Sequence, residues 1–205
     1  MKKNLILSIY DDLNNPYYGG GGPRVVHEVI TRIIDQYDVT ILTGRYPGAV
    51  DGVRDGITFK HIGTSRFGSK INQFFFHFYL IYYVLVMDFD IWIESFTPPF
   101  STSCLQFFTN KPVLALVQML SGEDMMRKYH IPFHWFERIG LGTYKYFSIP
   151  SSYLFSKIRK YNKKAKIELI PNGIELPKDV SQIDSDKKYL LFLGRIEVDQ
   201  KGLDL

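Results

Sequence analysis

Residues 5–43 read LILSIYDDLNNPYYGGGGPRVVHEVITRIIDQYDVTILT, and they predict a strand, a glycine-rich loop, a helix and a second strand. The two ends, 5–10 and 38–43, are short apolar runs, as in strands that are covered on both faces. Between them, apolar residues repeat at helical spacing over 25–34, and Pro23 suits the first turn of a helix. This succession predicts a right-handed crossover between two parallel strands.

The same alternation continues to about residue 171. Further strands are predicted over 58–62, 91–94, 113–118 and 167–170, and further helices over 70–87, 98–108, 132–141 and 151–161. Residues 51–62 break the pattern and predict a turn that enters a short strand. The fold class is therefore α/β, with a doubly wound, Rossmann-like parallel sheet.

Composition narrows the class of protein. The chain has 205 residues, of which 45% are hydrophobic and 22% charged, which is typical of a globular protein. The net charge of +4 favours acidic ligands such as phosphates or an anionic membrane surface. Scattered lysines disfavour nucleic acid as a partner. The single cysteine, Cys104, excludes an internal disulfide and, with no signal peptide visible, predicts a cytoplasmic protein.

An aromatic run occupies residues 74–87, which read FFFHFYLIYYVLVM. Its 14 residues fall short of the roughly 20 that span a bilayer. Two interpretations remain: a helix that is buried on most sides, or a helix that lies on a membrane surface through residues 74–83.

The last residues, 189–205, read YLLFLGRIEVDQKGLDL and predict a strand followed by a turn. Arg195 and Lys201 in that turn suit a diphosphate, because arginine offers a planar fork of donors and lysine a point charge. We therefore expect an N-terminal domain over 1–176, a polar linker over 177–188, and the start of a second domain over 189–205.

Gly19 to Gly22 follow the first strand and open the first helix. Glycine lets a ligand approach the backbone, and a helix N-terminus attracts anions, so a phosphate or sugar phosphate could bind there. A flexible surface turn is the alternative. A dinucleotide-binding oxidoreductase is disfavoured, because Arg24 stands where its fingerprint needs the third glycine.

Asp88 and Asp90 form an Asp-x-Asp pair, which metal-dependent nucleotide-sugar transferases use to hold Mn²⁺ or Mg²⁺. The pair precedes a predicted strand instead of following one, so two acids in a helix-to-strand turn are the alternative. The histidines lack metal-ligand spacing. We therefore predict no metal site.

Four segments together resemble the GT-B glycosyltransferases of family four: 20–26, 38–48, 167–175 and 194–205. The last two, spaced across a polar linker, are the most specific. The resemblance implies that a sugar moves from a nucleotide diphosphate sugar to a glycan, lipid-linked or other acceptor, with retention of configuration and without a cofactor. The cleft between two domains would hold both substrates, with the acceptor mainly on the N-terminal side.

The same resemblance assigns roles to individual residues. Arg195 and Lys201 would neutralise the leaving diphosphate, and the loop of Gly20, Gly21 and Gly22 would approach the donor. Gln118 stands where many relatives carry a histidine near the reacting sugar.

Two expectations concern the chain itself. Residues 1–205 should fold but should not transfer sugar, because one side of the cleft is nearly missing. The strand 189–193 would fold back, be disordered, or pair between chains in a homodimer. A non-catalytic α/β binding module is the alternative to an enzyme.

Overall fold

The computed structural model describes residues 2–16, 21–98 and 100–173. Within these ranges, one sheet contains the strands β1 (Lys3–Ser8), β2 (Tyr37–Gly44), β3 (Gly52–Arg54), β4 (Ile57–Ile62), β5 (Ile91–Ser95), β6 (Val113–Leu116), β7 (Tyr146–Ile149) and β8 (Lys166–Leu169). Their order is β3-β4-β2-β1-β5-β6-β7-β8, and all neighbours are parallel except β3 and β4. The predicted fold class is confirmed.

The described helices are α1 (Gly21–Ile33), α2 (Ser69–Val86), α3 (Gly122–Tyr129), α4 (Phe133–Thr143) and α5 (Ser152–Tyr161), with a 3₁₀ turn at Leu105–Phe108. Helix α1 packs Val26 and Ile30 onto one face of the sheet. Helices α2, α4 and α5 pack Phe76, Leu141 and Ile158 onto the other face. The faces differ because the chain first travels from β1 towards β4 and then returns to β5, and right-handed crossovers in opposite directions place helices on opposite faces.

Strand β1 lies near the middle of the sheet and belongs to both cores. Leu5 and Leu7 pack on the α1 face, whereas Ile6 packs on the other, and none of the three is more than 3% exposed. Successive side chains of a strand point to opposite faces, so only a continuous apolar run fills both cores. Full burial of each such side chain contributes roughly 1.5–3 kcal/mol.

Most predicted elements are confirmed. The six predicted strands lie within two residues of the observed ones, and the helices predicted over 70–87, 132–141 and 151–161 correspond to α2, α4 and α5. The break at 51–62 is a hairpin of β3 and β4, whose turn places Asp55 and Gly56 at positive φ.

The helix predicted over 98–108 is wrong. Within the described part of that stretch, the structure has a bridge between Thr97 and Ser101 and the 3₁₀ turn. Ser101 and Cys104 adopt positive φ of 64° and 55°, which an α-helix does not allow. Buried hydroxyl groups here bond to carboxyl groups of the sheet and of α4, and these bonds replace the helical ladder.

Helix α3 and strand β7 were not predicted. Helix α3 carries acidic residues in its first turn and basic residues in its last, which suits the helix dipole and was an available signal. Strand β7 has four residues, and only Tyr144 and Lys145, neither of which is a typical turn residue, separate it from α4 in the sequence.

Helix α2 is buried on one side only. Phe76, Leu80 and Val84 are at most 4% exposed, whereas Phe78 and Leu85 are each 62% exposed. The interpretation of a helix buried on most sides is therefore wrong for one of its faces. Among the described residues, no helix is both long and apolar enough to cross a membrane.

The chain divides into two compact units, Met1–Asn172 and Gly173–Leu205. All the elements above belong to the first unit. The predicted boundary at 176, the linker 177–188 and the strand 189–193 lie outside the described residues and remain predictions.

Candidate functional site

Strands β1, β2, β4, β5, β6 and β7 end at the same edge of the sheet, which we call the carboxyl edge. The direction of the chain reverses between β1 and β5, which are hydrogen-bonded neighbours. In open α/β sheets, ligands bind in the crevice outside the carboxyl edge at such a reversal. The loops after β1 and β5 are therefore candidates for a binding site.

A polar cluster follows β1 at the carboxyl edge. We call it the Asp12 network, and its members are Asp12, Tyr46, Asp51, Arg54 and His61. One carboxylate oxygen of Asp12 lies 3.2 Å from the Tyr46 hydroxyl, 3.2 Å from an Arg54 nitrogen and 3.0 Å from Nε2 of His61. The other oxygen accepts from the backbone amide of Asn14. The network thus ties the β1 loop to β3 and β4.

The side chains of Asp12 and His61 are buried, whereas those of Arg54 and Asp51 are partly exposed. Burial alone would raise the pKa of Asp12, but hydrogen bonds from His61 and Asn14, and the Arg54 cation, outweigh it and lower that pKa to about 2. On its other side, the His61 ring presents Nδ1 to Asp51 at 2.9 Å. The two ring nitrogens of His61 therefore lie between two carboxyl groups, one from the loop after β1 and one from the segment before β3.

A cavity of about 110 Å³ lies beside this network, on the α1 face of the sheet. Asp12, Thr43 and Arg54 line it together with apolar residues of β1, β2 and β4 and the first turns of α1. The Thr43 hydroxyl is buried and has no hydrogen-bond partner among the described residues, and Nε of Arg54 is in the same state. Orphaned buried polar atoms in a cavity wall indicate room for a polar ligand or for water.

The charge of the cavity wall is negative. Three aspartates, Asp11, Asp12 and Asp55, and one arginine, Arg54, are among the residues that line it. This excess of carboxylates disfavours a phosphate and favours an uncharged ligand with hydroxyl groups.

A second polar cluster follows β5. We call it the Glu94 network, and its members are His77, Glu94, Thr102, Ser103 and Tyr144. Glu94 is 1% exposed and accepts hydrogen bonds from the Tyr144 hydroxyl, the Thr102 hydroxyl and the Ser103 amide. The Ser103 hydroxyl lies 2.7 Å from Nδ1 of His77. These bonds hold the loop that was predicted to be a helix.

Burial shifts the pKa values in the Glu94 network towards the uncharged forms. Burial raises the pKa of Glu94, although its three donors partly offset this, and burial raises the pKa of Tyr144 well above its usual value. Burial also lowers the pKa of His77 to about 4. The neighbouring Cys104 thiol has its pKa raised to about 12 by burial and the nearby Glu94, so it is not a reactive thiolate at neutral pH.

Glu137 of α4 closes the same loop from the other side. One of its oxygens accepts from the Ser101 hydroxyl at 2.6 Å and from the backbone amides of Ser121 and Gly122. The carboxylate therefore caps the N-terminus of α3, where a negative charge is favourable. Gly122 has little room for a side chain, since an added Cβ would lie 2.8 Å from the backbone of His134.

Of the predicted glycine loop, the structure describes Gly21 and Gly22, and Gly20 lies outside the described residues. Both glycines lie in the first turn of α1, at the end of β1, and neither has positive φ. An added Cβ would meet nothing at Gly21 and only ordinary contact at Gly22. Packing alone therefore does not explain these glycines, and approach by a ligand remains a prediction.

Gln118 follows β6 at the carboxyl edge and is half-buried. Its side-chain oxygen accepts a hydrogen bond of 2.9 Å from Asn172, in the segment after β8. This contact positions the amide at the carboxyl edge, but it does not test the predicted role near the reacting sugar. Arg195 and Lys201 lie outside the described residues, and their roles also remain predictions.

Asp88 and Asp90 lie between α2 and β5, at the opposite edge of the sheet. Asp88 is 87% exposed and pairs with Lys111 at 2.7 Å, whereas Asp90 accepts a hydrogen bond from the backbone amide of Asn4. Because the two carboxylates have separate partners and lie away from the carboxyl edge, the structure gives no support to a shared metal ion there.

Neither polar network was predicted from the sequence. Asp12 directly follows the first strand, and its position was an available signal. Its partner His61 is 49 residues away, and Tyr144 is 50 residues from Glu94. No local pattern connects residues at such separations.

The model of the family "Glycosyltransferase Family 4" matches residues 19–178 of the chain. No curated protein matches the sequence. Among solved structures, the chain is similar to sucrose-phosphate synthase from Thermosynechococcus elongatus, with a TM-score of 0.60 and 14% identity. The match covers 84% of this chain and 49% of the synthase. At this identity, the likeness concerns the fold alone.

Two further similarities are weaker. The structure of HepE from Anabaena in complex with UDP and glucose matches with a TM-score of 0.49 and 12% identity, over 85% of this chain and 45% of that one. The α,α-trehalose 6-phosphate synthase from Burkholderia multivorans matches with a TM-score of 0.47 and 9% identity, over 78% and 42%. The chain thus spans about half the length of the solved structures that it matches.

Proposed function

Because the chain belongs to glycosyltransferase family 4, we propose that the whole protein transfers a sugar from a nucleotide diphosphate sugar to a glycan, lipid-linked or other acceptor, with retention of configuration. The observation that carries the proposal is the family match over residues 19–178. The sheet is the doubly wound, Rossmann-like sheet of GT-B glycosyltransferases. Its reversal between β1 and β5 supports a substrate crevice at the carboxyl edge.

The donor side of the proposal rests on charge. As the glycosidic bond to the diphosphate breaks, the leaving group gains negative charge, and preorganised cations stabilise that state. Arg195 and Lys201 are the residues that we assign to this task, and the loop of Gly20, Gly21 and Gly22 would approach the donor from the other domain. Because these cations replace a metal ion, we expect no cofactor.

The test is release of nucleoside diphosphate by the whole protein from a panel of UDP-, GDP- and ADP-sugars, with and without EDTA. We expect turnover with one class of donor and no loss of turnover in EDTA.

Arg195→Ala should lower turnover by roughly 10²–10³, whereas Lys188→Ala in the predicted linker should not. Donor binding without turnover would identify a non-catalytic binding module instead. The same assay on residues 1–205 tests the prediction that this chain is inactive.

The acceptor side of the proposal rests on the cavity beside the Asp12 network. We assign an uncharged sugar ring of the acceptor to it, because its wall offers one cation against three carboxylates and an unpartnered Thr43 hydroxyl. An Asp–Arg pair can accept from one sugar hydroxyl and donate to another.

Thr43→Val tests this assignment, because it keeps the shape of the side chain and removes the hydroxyl. We expect a higher KM for the acceptor and an unchanged kcat, because a group that binds substrate and transition state equally affects KM alone. Thr58→Val is the matched control, because Thr58 is exposed on β4. An unchanged KM would remove the cavity from the acceptor site.

A peripheral membrane contact through residues 74–83 of α2 is part of the same proposal. Ile71, Phe74, Phe78, Tyr82 and Leu85 form an apolar stripe along the exposed side of the helix, with exposed fractions between 52% and 62%. No charged residue lies between Ile71 and Met87. A helix with one face in the core and a second apolar face in solvent is typical of proteins that bind a membrane surface.

Flotation with phosphatidylglycerol liposomes tests this contact. The double variant Phe74→Asp and Phe78→Asp should reduce the floated fraction, because two charges would have to enter the interface. Val29→Asp on α1 is the control, since Val29 is 47% exposed on the opposite face of the sheet. Equal flotation of the double variant and the control would refute the contact through α2.

A further inference from the structure

The positive charge of the protein is concentrated in one part of the chain. Residues 125–173 contain ten lysines and arginines against two acidic residues, a net charge of +8 within a chain whose total is +4. One of the two acids, Glu137, is buried and caps α3. The expectation of scattered lysines is therefore wrong for this region.

Helix α4 adds exposed apolar side chains to this region. Ile131 comes just before α4, Trp135 and Ile139 lie four residues apart on the helix, and the three side chains are 48%, 61% and 62% exposed. Phe136, beside them, is 49% exposed. Aliphatic and aromatic side chains in one exposed line indicate a surface that is covered by an apolar partner.

Helix α5, which packs against α4, and the turn that follows α5 supply exposed cations to the same region. The Arg138 guanidinium of α4 lies 5.5 Å from the Tyr161 ring of α5, and the Lys160 ammonium lies 5.5 Å from the same ring. In the part of the chain that the structure describes, Lys160, Lys163 and Lys164 form no ion pair. Their charge is therefore available to an outside partner.

We propose that α4 and α5 form a docking surface for an anionic lipid bilayer. Ile131, Trp135 and Ile139 enter the interface, while Lys160 of α5 and Lys163 and Lys164, which follow it, meet the phosphate groups of the lipid heads. Exposed isoleucines favour a bilayer over a nucleic acid, because they cannot stack on bases and gain only by leaving water.

The surface deepens the membrane contact that we propose for α2, and it rests on that part of the proposed function. Both surfaces lie on the same face of the sheet, and a chain of rings connects them, with Phe74 5.9 Å from Phe100 and Phe100 6.1 Å from Phe136. Only the α4–α5 surface carries the charge that selects anionic lipid.

Tryptophan fluorescence of the purified chain tests the inference at the surface itself. The chain has two tryptophans, of which Trp92 is fully buried and Trp135 is exposed on α4. Vesicles that contain phosphatidylglycerol should shift the emission of Trp135 to the blue, and brominated acyl chains should quench it. Vesicles of phosphatidylcholine alone should have a much smaller effect, and added salt should weaken the shift.

Lys160→Glu together with Lys164→Glu should weaken binding to the phosphatidylglycerol vesicles by about twentyfold or more, at about fivefold for each cation removed. Lys3→Glu, on the exposed start of β1, is the matched control and should leave binding almost unchanged. Far-ultraviolet circular dichroism of each variant shows that the fold is kept.

Three results would overturn the inference. The first is equal binding of the double lysine variant and the wild type. The second is an equal shift with neutral and anionic vesicles. The third is a shift with heparin, a soluble polyanion, but not with vesicles. If the flotation experiment refutes the α2 contact but phosphatidylglycerol vesicles still shift the emission of Trp135, this inference stands without the α2 contact.

Discussion

The Asp12 and Glu94 networks each place a histidine and a carboxyl group at the carboxyl edge, yet they treat charge in opposite ways. In the Asp12 network, Arg54 and His61 contact the carboxylate, and the pKa of Asp12 falls to about 2. In the Glu94 network, the donors to the carboxyl group are uncharged hydroxyl and amide groups, and burial raises the pKa of Glu94. Burial favours the neutral form, so a buried carboxylate stays ionised only where a cation or several strong donors outweigh it.

This difference separates two tasks. The charged network lines a cavity, where ionised groups can bind a polar ligand. The Glu94 network supports the loop after β5, where the buried Thr102 and Ser103 bond to Glu94. We therefore expect substitutions in the Asp12 network to change stability because they remove or expose a charge. Substitutions in the Glu94 network should change how stability depends on pH and how well the loop after β5 packs.

The largest effect is expected for Asp12→Ala. The side chain of Asp12 is 2% exposed, and its removal leaves Arg54 and His61 without their buried counter-charge. The free energy of unfolding should fall by about 3–5 kcal/mol in urea denaturation at neutral pH. A loss below about 1 kcal/mol would mean that Asp51 or water replaces the carboxylate, and the network would not be a buried ion cluster.

A smaller effect is expected from the titration of His77. Its pKa is about 4 in the folded protein, against an ordinary value of 6.5, so the unfolded chain binds more protons between these two pH values. Stability should therefore fall as the pH drops from 6.5 towards 4, by roughly 3 kcal/mol in total from this residue.

Comparison of the wild type with His77→Gln isolates the contribution of His77 to the pH dependence of stability, because every other titrating group, including Glu94, is present in both proteins. Unfolding free energies measured across this range should converge or cross as the pH falls, with the wild type losing more. Parallel pH profiles would show that His77 is not held neutral in the fold.

Glu94→Gln should have a modest effect of about 1 kcal/mol or less on the free energy of unfolding at neutral pH. Burial already disfavours the charge of Glu94, and glutamine keeps one oxygen that accepts from Thr102 or Ser103. Thermal denaturation of this variant beside Asp12→Asn is the sharpest comparison. If Glu94→Gln lowers the melting temperature as much as Asp12→Asn does, the contrast between the two networks is wrong.

The smallest effect is expected for Asp88→Ala. Its partner Lys111 is 46% exposed and Asp88 is 87% exposed, so their pair is well solvated. The free energy of unfolding should hardly change, and transfer of sugar by the whole protein should be unchanged. Loss of activity in this variant, restored by added Mn²⁺, would favour the metal-dependent alternative.

The same contrast explains where sequence reasoning failed. The helix predicted over 98–108 fits the apolar residues of that stretch, but Ser101, Thr102 and Ser103 are buried and bond to Glu94 and Glu137. Glu137 is 36 residues from Ser101 in sequence. The competing partners exist only after the sheet and α4 are in place, so tertiary hydrogen bonds override the local preference for a helix.

The sequence by itself determined the α/β class, the positions of six strands, helices α1, α2, α4 and α5, and the family. These features depend on the order of apolar and polar residues over short stretches, which local periodicity records. The sequence also placed the aromatic run on α2, but it did not distinguish its buried side from its exposed side. Only the tertiary structure decided that Phe76 faces the core and Phe78 faces solvent.

The tertiary structure alone also decided which charges meet. It joined Asp12 to His61 and Glu94 to Tyr144, gave Asp88 and Asp90 separate partners at the opposite edge, and brought Arg138 of α4 and Lys160 of α5 to the same Tyr161 ring. The physical reason is that electrostatic and hydrogen-bond energies depend on distance and burial in space, and residues about fifty positions apart acquire both only when the strands pair.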